Sequence, residues 1–259
     1  MNEKLIPDII ESNLFSLYKA FADAGDYNVI KHASYTRIET GKSAFPRNIF
    51  QIDTGMDDDA LSELTRLIKD GEASPFLIFR DDNAPVVFAE RLKENNFRQV
   101  MKWPGMAIPL YDDLKIMAVD DKNIAIRKIE DKREIDTWTG MVEKVLFNGK
   151  RLDRQALQTL AYSQGGALYT GFLNGMAAGT LLSWSAGQVT GFYMITTLPE
   201  FRKKGIARQM MQTALRDASS AGCRYAVLES TQMGLSLYQR AGFKEYCSFS
   251  IYWMLGKDQ

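Results

Sequence analysis

The sequence predicts a mixed α+β (α/β) fold, in which a central, mostly antiparallel sheet is flanked by helices. Short apolar runs bounded by Gly, Asn and Pro alternate with stretches whose apolar residues recur at helical spacing. In addition, no charged residue occurs from Gln155 to Pro199, although polar residues interrupt this stretch every few positions. Because a membrane span needs about 20 mostly apolar residues in a row, we interpret the stretch as buried strands of the sheet.

Composition limits the number of domains and the kinds of partner. The 259 residues suffice for one large or two ordinary domains, and 46% of them are apolar. Lys plus Arg equals Asp plus Glu at 32 each, so we predict neither nucleic acid nor a membrane as a partner. Cys223 and Cys247 lack CxxC spacing and His32 is the single histidine, which predicts no metal site. Reduced thiols and an N-terminus without a secretory pattern favour the cytoplasm.

The first segment, residues 1–120, combines helical and strand patterns. A Ser-Asn cap precedes the apolar stripe of the first helix, and the acids at 57–59 stand where a helix N-terminus favours negative charge. We predict helices at 12–22, 57–68 and 85–95. We predict strands at 27–30, 34–38, 48–52, 75–79, 97–101 and 105–110, followed by a charged linker at 112–123.

The second segment, residues 123–259, opens with a strand and contains an antiparallel meander. Asn174-Gly175 lies between two apolar runs and is a strong hairpin signal, and Gly222 ends the long helix that follows Pro199. We predict helices at 131–146 and 153–162, a helix between 199 and 222, and a short one at 234–241. We predict strands at 124–127, 167–173, 177–184, 188–197, 225–229 and 249–254.

Positive charge and glycine coincide in the segment 198–207, between a buried strand and an amphipathic helix. Arg202, Lys203 and Lys204 stand at a helix N-terminus, where cations are unfavourable unless an anion is bound. Free backbone N–H groups at that end bind anions, and Gly205 lets a phosphate approach because it has no Cβ. The alternative is a solvated basic turn; a P-loop or Rossmann glycine pattern is not present.

The stretch 124–254, about half of the chain, resembles the GNAT superfamily of acyl-CoA N-acyltransferases. Arg202, Gly205 and Ala207 fill the defined positions of its pyrophosphate-binding pattern, [QR]-x-x-G-x-[GA]. Tyr238 and Gly242-Phe243 match the pattern of its final helix, N-x-x-A-x-x-L-Y-x-x-x-G-F. The two motifs together are much more specific than either alone.

The resemblance implies a GNAT acyltransferase fold with acetyl-CoA as co-substrate and no metal. In the family, the pyrophosphate contacts the helix N-terminus, and pantetheine pairs with the preceding strand, here with the main chain of Ile195 and Thr197. Thr231 and Gly234 stand where the family usually has Asn and Ala. The cofactor-binding residues that the resemblance implies are Ile195, Thr196, Thr197, Arg202, Lys203, Lys204, Gly205, Ile206, Ala207, Thr231 and Ser236.

The resemblance also implies roles for catalytic groups. A strand N–H near Met194 or Ile195 would stabilise the oxyanion, and Tyr238 would protonate the departing thiolate as general acid. Family members often carry a carboxylate on the strand before the pyrophosphate motif, but residues 189–194 contain none. Glu229, at the end of the next strand, is the nearest acid. Tyr193 acting through a water, and loss of the amine proton to solvent before binding, are the alternatives.

The reaction implied is transfer of acetyl to a primary amine of a small molecule, an amino acid or a peptide. An acyl-CoA-binding sensor without turnover is the alternative from another class. Transfer to a hydroxyl group, or of a longer acyl chain, would use the same CoA site.

The first segment resembles the degenerate GNAT-like domain that precedes the acetyltransferase domain in some bacterial two-domain proteins, most clearly at 103–107. Acids at 57–59 occupy the position of a second pyrophosphate motif, so we predict no CoA site in this segment. It would wall off the acceptor site or support a homodimer. The similar helix-to-strand endings at 92–98 and 237–244 indicate either an internal duplication or convergent local chemistry.

Overall fold

The computed structural model describes residues 3–41, 43–110 and 121–255. Within these ranges the α-helices are α1 (Ile6–Ala24), α2 (Asp58–Lys69), α3 (Val86–Glu94), α4 (Lys132–Leu146), α5 (Arg154–Ala161), α6 (Ile206–Ser220) and α7 (Leu235–Arg240). The strands are β1 (Asn28–Lys31), β2 (Thr36–Glu39), β3 (Ile49–Phe50), β4 (Phe76–Arg80), β5 (Phe97–Pro109), β6 (Ile124–Lys128), β7 (Gly166–Leu173), β8 (Met176–Ala186), β9 (Val189–Thr197), β10 (Tyr225–Glu229) and β11 (Lys244–Met254).

One 11-stranded sheet runs through the described chain in the order β1-β2-β3-β4-β11-β5-β10-β9-β8-β7-β6. Its strands pair antiparallel except for β3 with β4 and β9 with β10, which are parallel. Helices α1, α4 and α5 pack on one face. On the other face, α6 and α7 cover the second segment, and α2 and α3 cover the first. The predicted mixed fold is confirmed.

Strands of the two segments interleave at the centre of this sheet. β11, from the second segment, lies between β4 and β5 of the first, and β5 pairs in turn with β10. The order strand-helix-strand-helix-strand occurs twice, as β3-α2-β4-α3-β5 and as β9-α6-β10-α7-β11. The division at 1–120 and 123–259 stays a prediction, and most of the predicted linker lies outside the described residues.

β5 is one continuous strand, although the sequence predicted two, at 97–101 and 105–110. In a strand, the nitrogen and carbonyl of one residue point to the same side. The carbonyl of Pro104 accepts a hydrogen bond from the backbone N–H of Ser230 (2.8 Å), just past the end of β10. The N–H that proline lacks would therefore face a side where β10 has ended, so Pro104 does not interrupt the strand.

Two other elements are longer than predicted. α1 begins at Ile6 rather than near residue 12, because Ile6 and Ile10 continue its buried stripe and Pro7 is compatible with a first helical turn. β11 begins at Lys244 rather than 249, directly after the Gly242-Phe243 turn, and its added residues pair with β5. The Asn174-Gly175 hairpin is confirmed, with both residues at positive φ (50° and 80°).

Candidate active site

The sheet opens between β9 and β10. Their parallel pairing covers Val189 to Gly191 on β9 and Tyr225 to Val227 on β10, and none is formed farther along. The remaining six residues of β9, 192–197, are therefore unpaired on this side. The gap gives access to main-chain groups of β9 in the middle of an otherwise continuous sheet.

A bulge in β9 lies beside this gap. Thr180 of β8 pairs with Thr196 and Leu182 pairs with Tyr193, so Met194 and Ile195 together oppose one residue of β8. Met194 has φ +48°, a left-handed conformation that is uncommon for a residue with a side chain. A bulge leaves its extra residue out of the regular ladder, so this is the part of β9 whose main chain can turn to a ligand.

The loop before α6 presents a row of free backbone N–H groups. Lys203 (φ +61°) and Gly205 (φ +86°) adopt left-handed conformations, and Gly205 is the N-cap of α6. The N–H groups of residues 203–208 have no acceptor in the part of the chain that the structure describes. The first turn of α6 also contains no acid. This loop has the geometry and charge of an anion site.

Tyr238 of α7 lies on the same face of the sheet as α6. Its side chain is buried against the ring of Phe243, with centroids 6.3 Å apart, and burial raises the pKa of its phenol. Its hydroxyl has no hydrogen-bond partner among the described residues. At neutral pH this phenol is protonated and free to donate.

Glu229 lies at the end of β10, on the opposite face of the sheet, where α1 packs. Its Oε1 atom is shielded from solvent and has no hydrogen-bond partner among the described residues, although the residue as a whole is only partly buried. Desolvation raises the pKa of Glu229 to about 8. Burial, and then the nearby Glu229 carboxylate, raise the pKa of Tyr18 on α1 and of Tyr193 on β9. The Tyr193 hydroxyl already donates to Asn13 Oδ1 (2.6 Å).

A continuous cleft of about 2940 Å³ joins these features. Tyr238 and Glu229 both line it, so the gap between β9 and β10 connects the two faces of the sheet. Of the cofactor-binding residues predicted from the sequence, the structure brings together Ile195, Thr196, Thr197, Arg202, Lys203, Gly205, Ile206, Ala207, Thr231 and Ser236. Lys204 does not line the cleft; its ammonium lies over the ring of Phe201, 5.5 Å from the centroid.

The first segment contributes residues that sequence reasoning missed. Tyr18 of α1 and Trp103 of β5 line the cleft beside Glu229. Both belong to ordinary apolar patterns, so nothing in the sequence distinguishes them from core residues. Asn13 is the residue with a usable signal, because a polar residue inside the apolar stripe of a helix needs buried partners. Its Nδ2 donates to the carbonyl of Val189 (3.2 Å).

None of the helices in residues 3–41, 43–110 and 121–255 has the length and apolar content of a membrane span. In the same ranges, His, Cys, Asp and Glu side chains form no group of three or more that could hold a metal ion.

Comparisons with known proteins agree with this geometry. The family described as acetyltransferase (GNAT) domain matches residues 159–245. A GCN5-related N-acetyltransferase from Kribbella flavida superposes with a TM-score of 0.71 at 14% identity, covering 95% of each chain. A functionally unknown conserved protein from Staphylococcus epidermidis superposes at 0.66 and 13% identity, covering 90% of this chain and 97% of its own.

A third solved structure, a GCN5-related N-acetyltransferase from Sphaerobacter thermophilus, has a TM-score of 0.60 at 15% identity and covers 87% of this chain and 75% of its own. No curated protein sequence matches this chain. At such identities the structures show a shared fold, and the family match adds the domain that contains the gap, the bulge and the Gly205 loop. Residues 159–245 thus match the GNAT acetyltransferase domain, and the chain shares the fold of GCN5-related N-acetyltransferases.

Proposed function

We propose that this protein transfers the acetyl group of acetyl-CoA to a primary amine of a small molecule, an amino acid or a peptide. The observation that carries the proposal is the row of free N–H groups at residues 203–208, at one end of the gap that leads to Tyr238 and Glu229. An anion site beside a strand opening, with an unpaired phenol and an unpaired carboxyl along it, suits a long phosphorylated thioester and an amine.

The site fits the CoA portion by charge and by space. The pyrophosphate would accept from the N–H groups around Gly205, with Arg202 and Lys203 adding positive charge. Gly205 has no Cβ to obstruct a phosphate, and its φ of +86° is one that side chains rarely adopt. Thr231 and Ser236, at the start of α7, line the next part of the cleft.

The residues around the gap have the properties that the transfer needs. Acetyl-CoA supplies the thioester carbonyl and the thiolate leaving group. The main chain at Met194 and Ile195 stabilises the oxyanion, because the bulge removes it from regular pairing. Tyr238 donates a proton to the thiolate.

Glu229 takes the proton from the ammonium of the acceptor. A pKa of about 8 matches this task near neutral pH, since a general base works best when its pKa lies close to the working pH. Tyr193 is a poorer candidate, because its hydroxyl is engaged with Asn13. The phenol of Tyr193 also ionises far above neutral pH, since burial raises its pKa.

Calorimetry with acetyl-CoA tests the CoA site. The wild-type protein should bind, and Gly205→Glu should abolish binding by placing a side chain and a negative charge in the anion site. Gly222→Glu is the matched control, because Gly222 (φ +82°) follows the other end of α6 and does not line the cleft. Equal binding by the two variants would contradict the site.

Release of free thiol in the presence of amines tests turnover. An acetyltransferase releases CoA faster with an amine than by hydrolysis, and Tyr238→Phe slows that release. Binding of acetyl-CoA without amine-dependent release would favour the alternative, an acyl-CoA-binding regulatory or sensor module. Thr231, which stands where the family usually has Asn, is the observation that supports this alternative.

The proposal also covers the cellular compartment, the division into two segments and the oligomeric state. Cys223 and Cys247 are free and buried, which suits a reducing compartment such as the cytoplasm. A division into a catalytic second segment and a first segment without its own CoA site is also proposed. Size-exclusion chromatography with light scattering distinguishes a monomer from the homodimer that the first segment would support.

A further inference from the structure

We call the loop 202–205 before α6 the CoA loop. The half of the cleft opposite the CoA loop is formed largely by the first segment. α1 contributes Tyr18 and β5 contributes Trp103, and the loop 43–47 meets the loop 147–151 at its mouth. The two loops are joined by a hydrogen bond from the N–H of Ala44 to the carbonyl of Arg151 (2.9 Å). The rings of Phe45 and Phe147 also contact each other, with centroids 6.2 Å apart. We call the space bounded by these two loops, Tyr18, Trp103 and Glu229 the acceptor chamber.

Two shielded polar atoms in the acceptor chamber have no partner among the described residues. One is Oε1 of Glu229, which can only accept when ionised, and the other is Nε1 of Trp103, which can only donate. Leaving such atoms unpaired destabilises the empty site. A ligand that offers both a donor and an acceptor would recover this energy.

The sheet register places these two side chains together. Glu229 pairs with Gly105, and Trp103 lies two residues earlier on the same strand. Residues two apart on a strand share a face, so Trp103 is the diagonal neighbour of Glu229; such neighbours are typically about 7–8 Å apart, with their Cβ atoms somewhat closer. Gly105 adds no side chain between them. One small molecule can therefore contact both.

The walls of the acceptor chamber are aromatic. Tyr18, Phe45, Trp103 and Phe147 all line it; Tyr18 belongs to the main core, and the other three pack against that core. Aromatic walls favour a flat or bulky apolar body in the ligand, because burying it removes apolar surface from water.

Charge at the mouth of the acceptor chamber favours an anionic group. The cations there are Arg47, Lys150 and Arg151, and the acids that line the whole described cleft are Glu3 and Glu229 alone. Arg47 is paired with Glu39 (3.0 Å), whereas Lys150 and Arg151 have no ion-pair partner among the described residues. A polycation would meet unfavourable charge at this mouth, and a carboxylate would meet favourable charge.

We propose that the acceptor is an α-amino acid with an aromatic or large aliphatic side chain, bound in the acceptor chamber with its amine at Glu229 and its carboxylate at Trp103 Nε1, facing Arg151. The inference rests on the proposed acetyl transfer and names its substrate class. The ammonium gives one proton to Glu229, from which it passes to solvent. The nitrogen then bonds to the acetyl carbon and gives its second proton to Glu229, while the carbon–sulfur bond breaks and Tyr238 protonates the thiolate. The second proton returns from Glu229 through solvent to the Tyr238 phenolate, so one proton is released per turnover.

Binding of amines to the protein saturated with CoA tests the inference without turnover. The probes are phenylalanine, phenylalaninamide, phenethylamine and spermidine, measured by calorimetry. We expect phenylalanine to bind at least about tenfold more tightly than phenethylamine, which lacks the carboxylate. Spermidine should bind most weakly. Tightest binding by spermidine or phenethylamine, or no binding of phenylalanine to a protein that binds CoA, would overturn the acceptor class and leave the CoA site intact. Failure of CoA itself to bind would instead refute the proposed function.

Two variants locate the acceptor. Trp103→Phe keeps most of the ring and removes the N–H, so the affinity for phenylalanine should fall about tenfold. Trp184→Phe is the matched control, because Trp184 lies outside the cleft and its Nε1 donates to Ser16 Oγ (2.9 Å). Removing that N–H should leave the affinity for phenylalanine unchanged.

A third variant tests the carboxylate. Arg151→Gln should weaken the binding of phenylalanine at least about threefold and leave the binding of phenylalaninamide unchanged. Equal losses in the two Trp variants, or equal weakening of both ligands by Arg151→Gln, would overturn the placement.

Discussion

Replacing Glu229 by Gln should make the stability of the protein less dependent on pH. The pKa of this carboxyl rises from 4.5 to about 8 on folding, because burial disfavours its charged form. Between these two values the folded state holds a proton that the unfolded state has lost. The contribution of Glu229 to stability is therefore fully present below pH 4.5 and is lost as the pH rises through about 8.

The size of the effect follows from the shift. One pKa unit corresponds to about 1.4 kcal/mol, so the unfolding free energy of the wild type should fall by on the order of 5 kcal/mol across this window because of Glu229. Gln has the same length and no charge, so any cost of burying its amide is constant with pH. The variant should therefore gain stability relative to the wild type as the pH rises.

Urea unfolding followed by tryptophan fluorescence measures this difference. The wild type and Glu229→Gln are compared at several values between pH 5 and pH 9 without acetyl-CoA, since a ligand would add its own linkage. Glu90→Gln, on the exposed side of α3, is the control and should follow the wild type. A difference between Glu229→Gln and the wild type that stays constant from pH 5 to pH 9 would refute the buried, protonated carboxyl.

Three other predictions concern activity and packing. The rate of amine-dependent thiol release by the wild type should rise with pH through about 8, and Glu229→Gln should lose that rise. The same dependence of rate on pH in the wild type and the variant would exclude Glu229 as the base. Tyr238→Phe should slow turnover by about 100-fold or more with unchanged acetyl-CoA affinity in calorimetry, and unchanged turnover would contradict its role as acid. Asn13→Ala should lower the unfolding free energy by about 2–3 kcal/mol, because it leaves the Tyr193 hydroxyl and buried carbonyls unpaired. Ser12→Ala, its exposed neighbour, should change it far less, and equal effects in urea unfolding would contradict the buried network.

Local chemistry explains which parts of the fold could be predicted from the sequence. The hairpin at Asn174-Gly175 and the loop at Gly205 depend on left-handed backbone conformations that few residue types adopt, so the sequence indicates them directly. The continuity of β5 at Pro104 depends instead on where β10 ends, which is a property of the assembled sheet.

Long-range pairing likewise hides the acceptor side of the site. The insertion of β11 between β4 and β5 leaves no local signal, because the same alternating pattern suits any pair of neighbours. Tyr18 reaches Glu229 only because α1 packs on the face of the sheet to which β10 points. The CoA loop could be predicted from sequence for the opposite reason, since all its groups lie within one short segment.

The first segment repeats the short parallel strand pair of the second and has an ion-pair cluster at its end. β3 and β4 are parallel and share a single registered pair, whereas the parallel strands β9 and β10 share three. β4 ends at Arg80, and the corresponding strand β10 ends at Glu229. Arg80 is buried and forms ion pairs with Asp8 (2.8 Å) and Asp82 (2.7 Å). These ion pairs neutralise the charge of Arg80 at the end of β4.

The helix that follows β3 is also unsuited to a pyrophosphate. Asp57 caps α2 and accepts from the N–H of Ala60 (2.8 Å), and Asp58 and Asp59 follow in the first turn. An incoming phosphate would meet three carboxylates and a donor already engaged, whereas at Gly205 it meets free N–H groups and cations. Acetyl-CoA should therefore titrate with one site per chain in calorimetry. Two sites per chain, or binding that survives in Gly205→Glu, would show that a helix start capped by a carboxylate can still hold the pyrophosphate. Either result would remove the physical basis for assigning CoA to the second segment alone.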